Sequence, residues 1–68
     1  MGLKTHIREF RKEIGMDQAT LGERVGCRRE TINKLEQGKY NPSLKLAMDI
    51  ATVFGKSVEE VFEFTDKE

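Results

Sequence analysis

Between Arg28 and Gln37 the chain concentrates long polar side chains: Arg28, Arg29, Glu30, Asn33 and Lys34. Such groups can read the edges of base pairs. A guanidinium such as that of Arg29 can fork onto O6 and N7 of guanine. Glu30 can accept from the amino group of cytosine, and Lys34 can donate to guanine. Gln18 lies upstream of this stretch, and Gln37, Lys39, Tyr40 and Asn41 follow its end. Their donors suit phosphate oxygens, which fix register without reading sequence. Lys39 also brings charge that counterion release turns into salt-dependent affinity. Nothing sets a nucleophile, a base and a pocket together, so no enzyme is expected. His6 and Cys27 are each the sole residue of their type. Their spacing is not that of a metal site, and no cofactor is expected.

These side chains need a rod to carry them. Leu3, Ile7, Phe10 and Ile14 recur at spacings of 4, 3 and 4, predicting a first helix that Gly15 ends. Asp17 is placed to cap a second helix, buried through Leu21 and Val25. Gly26 breaks that helix, and Cys27 sits in the turn. A third helix from about Arg28 to Gln37 keeps Ile32 and Leu35 inward and the polar set outward. Gly38 ends it, and Lys39–Pro42 forms a loop. Ser43 caps a fourth helix with Leu44, Ala47, Ile50, Ala51 and Phe54 on one face, closed by Gly55. Ser57 and Glu60 make a capping box for a fifth, which buries Val58, Val61 and Phe62. No strand pattern exceeds 61–65, and no repeat appears. The expected fold is all-α, a compact five-helix bundle. A short helix, a Gly-bearing turn and a second helix with an apolar inner side form a helix-turn-helix pattern.

At 68 residues the chain suits one small domain, expected over residues 1–62, with an acidic tail at 63–68. So small a core makes a dimer plausible, and Phe62 and Phe64 are the expected dimer contacts. Twelve basic groups balance twelve acidic ones. The neutral total hides an asymmetry: residues 1–56 carry eleven basic and seven acidic groups, whereas 57–68 carry one and five. The fifth helix and tail should therefore point away from a polyanion. No apolar run approaches membrane-spanning length and no apolar signal core opens the chain, so the expected compartment is the cytoplasm. Cys27 lies beside Arg28 and Arg29 near a helix start, surroundings that favour a thiolate and a redox switch. The plainer reading is a half-buried turn residue.

The strings Met16-Asp17-Gln18-Ala19-Thr20-Leu21-Gly22, Val25-Gly26-Cys27, the run from Arg29 to Pro42, and Leu46–Ala51 resemble the Cro/Xre-type helix-turn-helix repressors of phage and prokaryotes. The resemblance covers roughly residues 3–62. It implies a lambda-repressor-like five-helix domain that binds double-stranded DNA, usually as a homodimer on a palindromic operator. It matches Arg28, Arg29, Glu30 and Lys34, with Asn33 beside them, to base-reading positions. It matches Gln18, Gln37, Lys39, Tyr40 and Asn41 to phosphate contacts. It also implies a buried ion pair, Arg11 with Glu36, locking the first helix to the third. Two positions depart from the family pattern. Arg28 stands where Ser or Thr often caps the third helix, and Glu30 stands where Gln is frequent. The alternative is a protein-interaction module, such as an antitoxin or adaptor, which Glu30 and the neutral net charge favour. No effector-binding segment is recognisable, so control is expected from concentration, a protein partner or Cys27.

Overall fold

A computed structural model describes residues 2–65, with side chains placed at 3–63. Five helices follow in order: α1 (Ile7–Glu13), α2 (Gln18–Val25), α3 (Arg29–Glu36), α4 (Leu44–Phe54) and α5 (Val58–Val61). Two short strands, β1 (Gly2–Thr5) and β2 (Phe62–Thr65), frame them and pair antiparallel, with Leu3 opposite Phe64 and Thr5 opposite Phe62. The bundle is helical as expected, and the two-stranded sheet is a small addition.

Local chemistry sets most boundaries. Asp17 Oδ1 accepts from the Thr20 N–H at 2.8 Å and starts α2. That hydrogen bond holds the Asp17 carboxyl below its ordinary value of 3.8. Ser43 Oγ accepts from the Leu46 N–H and starts α4. Ser57 and Glu60 exchange both bonds of a capping box at α5. Between α2 and α3 the turn is Gly26, Cys27 and Arg28. It folds back so closely that a Cβ on Gly22 would stand 2.6 Å from the Cys27 carbonyl oxygen. Only a glycine in the body of α2 lets the turn settle there.

Ile7, Leu21, Ile32, Leu35, Ile50 and Val61 are wholly buried, and Ala47, Ala51 and Phe62 complete the core. Leu3, Phe10, Val58 and Cys27 are among the half-buried side chains packed against it. Each fully buried aliphatic side chain contributes roughly 1.5–3 kcal/mol of transfer free energy. α3 is thus held on its inner side by Ile32 and Leu35, which leaves its outer side free.

Several expectations change. The first helix starts at Ile7, not Leu3, because the backbone of Gly2–Thr5 pairs with β2 and the His6 N–H donates to the Val61 carbonyl at 2.8 Å. Leu3 still reaches the core, from a strand. Ile14 and Leu44, placed on core faces by their spacing, are 52% and 74% exposed. Both stand at helix ends, where the inward face runs out of neighbours. Phe62, an expected dimer contact, is only 5% exposed and belongs to the chain's own core. The tail expected from residue 63 is strand β2 as far as Thr65, and the side chain of Phe64 lies outside the described ones.

His6 fastens the sheet to α1, a role with no sequence signal. Its Nδ1 lies 2.7 Å from Glu9 Oε1 and its Nε2 2.7 Å from Glu63 Oε2, so a protonated ring donates to both carboxylates. The Glu63 bond, then that to Glu9, raises the imidazole above its ordinary 6.5. The same bond lowers Glu63 below its ordinary 4.5. The raised His6 stabilises the fold fully below its unfolded value and loses that contribution as pH rises through the folded value. The lowered Glu63 contributes above its unfolded value and loses that as pH falls. The cluster therefore stabilises most between about pH 4.5 and 6.5. The melting temperature should decline as pH rises past that window, and His6→Asn should flatten this alkaline limb. A limb equally steep in the variant would remove His6 from the account.

Candidate nucleic-acid interface

Arg28, Arg29, Glu30, Asn33 and Lys34 are all exposed. Arg28 is the N-cap, Arg29 and Glu30 form the first turn of α3, and Asn33 and Lys34 follow one turn on. Among the described residues, Arg28, Arg29, Glu30 and Lys34 enter no ion pair. Their charged groups therefore face solvent. Asn33 is partly engaged, its Oδ1 accepting from Gln18 Nε2 at 3.3 Å, while its amide remains free to donate.

The start of α3 is unusual. Arg28 has extended backbone, φ −82° and ψ 157°, but makes no side-chain cap. Its carbonyl accepts from the Thr31 and Ile32 N–H groups, so the helix begins without a capping oxygen on the first amides. Arg28→Ser would supply one. That variant should gain about 1 kcal/mol in a denaturant melt while losing a cation from the reading face. A loss of stability would show that the Arg28 side chain supports the helix in some other way.

Behind the face lies a polar anchor. Arg11 Nε donates to Glu36 Oε2 at 2.8 Å and Nη2 to Glu36 Oε1 at 3.3 Å, while Nη1 donates to the Met16 carbonyl at 2.9 Å. The side chains are 11% and 8% exposed. Gln18 Nε2 adds a bond to Glu36 Oε1 at 3.1 Å. One carboxylate thus ties together α1, the head of α2 and the end of α3. Gln18, expected to hold phosphate, has its amide nitrogen directed inward to Asn33 and Glu36; its position at the start of α2 still offers a helix N-terminus.

Gln37, Lys39, Tyr40 and Asn41 are exposed just beyond α3, Tyr40 at 44%. The Gly38 and Lys39 N–H groups close the helix by donating to the Leu35 and Lys34 carbonyls. This leaves the loop at the end of the reading rod. Arg29 lines a shallow hollow with Asp17, Gln18 and Ala19. On the far side of Gln18, Arg8 and Lys12 line an open cleft with Asn33 and Gln37. Arg8 and Lys12 lie off the apolar face of α1, and only the folded chain brings them beside Asn33 and Gln37. Cys27 is half-buried against the core, and burial pushes its thiol above the ordinary 9.0, opposite to the thiolate that its neighbours suggested.

Residues 7–61 match the family model for the helix-turn-helix. An uncharacterised HTH-type transcriptional regulator of Archaeoglobus fulgidus is 56% identical over 66 residues, covering 97% of this chain and 94% of that one. The HTH-type regulator YgzD of Bacillus subtilis is 42% identical over 60 residues, covering 88% of this chain and 91% of that one. Among solved structures, the restriction-modification controller protein C.AhdI of Aeromonas hydrophila superposes with a TM-score of 0.73 at 31% identity, covering 81% of this chain and 80% of that one.

Proposed function

The chain belongs to the helix-turn-helix family of DNA-binding transcriptional regulators, and on that premise we propose that it is a cytoplasmic repressor acting as a homodimer on a palindromic operator. Each copy lays α3 in a major groove, the two grooves about 34 Å apart. Arg28, Arg29, Glu30, Asn33 and Lys34 read base edges. Gln18, Gln37, Lys39, Tyr40 and Asn41 hold phosphate. Occupancy of a promoter then excludes transcription. The observation that supports this reading best is the exposed polar face of α3, whose charged groups enter no ion pair among the described residues and which is braced from behind by Arg11, Gln18 and Glu36.

Selection of bound sequences from random duplex DNA tests it. A two-fold symmetric site is the expected result, with affinity falling steeply between low and moderate salt. Arg29→Ala should relax preference at one position per half-site at a cost of about 1–3 kcal/mol. Absence of duplex binding even at low salt would turn the reading toward a protein-docking module, with Glu30 as an acidic contact on the same face.

A further inference from the structure

Arg8 and Lys12 stand one turn apart on α1, and Arg11 shares their side of the helix. The three cations have different fates. Arg11 is fully engaged by Glu36 and the Met16 carbonyl. Arg8 and Lys12 are exposed and, among the described residues, form no ion pair. Their neighbour Glu9 is bound to His6. Both cations line the cleft whose other wall carries Gln18, Asn33 and Gln37, with the nearly buried Glu36 at its base. That one carboxylate is already matched by Arg11, so the cleft keeps two surplus positive charges facing neutral amides.

The cleft is open to solvent, includes Asn33 of α3 in its wall, and shares Arg11 and Gln18 with the hollow that Arg29 lines. It therefore borders the reading face. A rise of about 6 Å over four helical residues lets both cations act on neighbouring phosphates of one strand, which carries a charge about every 3.4 Å along the duplex axis. We propose that Arg8 and Lys12 form a second backbone grip, so that the strand bordering the major groove passes between α1 and the end of α3. This rests on the DNA-reading role of α3. It adds an element outside the helix-turn-helix to the contact surface and gives the cleft a ligand, the phosphodiester backbone. The grip supplies affinity without sequence preference, because phosphates are alike at every base pair.

The test uses the whole chain, a 30-base-pair random duplex and a site selected by the wild-type protein. The double variant R8Q/K12Q is compared with K45Q/K56Q, which removes the same charge from positions outside the cleft. Titrations across salt concentrations give the slope of log affinity against log salt. For R8Q/K12Q the slope should shrink by about 2. Its affinity should fall by the same factor on both duplexes, with an unchanged thermal melt; K45Q/K56Q should keep the wild-type slope. An unaltered slope in R8Q/K12Q overturns the grip while the wild type's own binding stands. An equal shrinkage in both double variants also overturns it, since a general field would then account for the loss. Absence of salt-dependent binding by the wild type overturns the DNA-reading role itself.

Discussion

Arg11→Met should cost about 3–5 kcal/mol of folding stability, because it leaves the Glu36 carboxylate nearly buried without its counter-charge. In a domain this small each kcal/mol moves the melting temperature by roughly 4–8 °C, so the variant should melt at least ~12 °C below the wild type. The second half of the experiment identifies the cause. Arg11→Met/Glu36→Leu removes both charges and fills the space with apolar atoms. It should recover most of the loss, since two well-packed apolar groups dispense with the desolvation cost of an ion pair. A double variant as unstable as the single one would mean that Arg11 matters through the Met16 carbonyl, not through Glu36.

Gly38→Ala should cost about 2–4 kcal/mol, from two sources that a control separates. Gly38 has φ +73°, a left-handed conformation that strains any residue with a Cβ. A Cβ there would also collide with the carbonyl oxygen of Leu3 in β1. Gly55 has nearly the same φ, +67°, but open space around it. Gly55→Ala should therefore cost only about 1–2 kcal/mol. Chemical denaturation of both reads the collision as the difference. Equal losses would show that β1 moves aside freely and that the end of α3 is not held against it.

Local signals were the legible ones. Asp17, Ser43 and the Ser57–Glu60 box announce helix starts because each cap is completed within three residues. The inward faces of α2 and α3 and the Gly-bearing turn between them followed from apolar periodicity. β1 was missed because a spacing of four, Leu3 to Ile7, is even: it keeps two side chains on one side of a strand as well as of a helix. The burial of Phe62 was legible beside Val58 and Val61, but its place in a strand was not, because the pairing strand lies at the opposite end of the chain. The Arg11–Glu36 pair, 25 positions apart, was available only through family resemblance. His6 and Glu63, 57 positions apart, left no trace in either periodicity or motif. Candidate base contacts stood out because exposed polar residues cluster on one short helix. The cleft lined by Arg8 and Lys12 did not, because it exists only after three helices pack.

The pairing of β1 with β2 closes nearly the whole chain into a ring of non-covalent bonds. Joining strands some sixty residues apart carries a chain-closure entropy of about 4 kcal/mol, and four-residue partners return little of it until the helices have condensed. The sheet thus depends on the helices for its stability, and through Phe62 and Leu3 it is joined to the core they form. α3 touches this sheet at its end, where Gly38 meets the Leu3 carbonyl, but it is also fixed from within by Ile32 and Leu35 and from α1 by the Arg11–Glu36 pair.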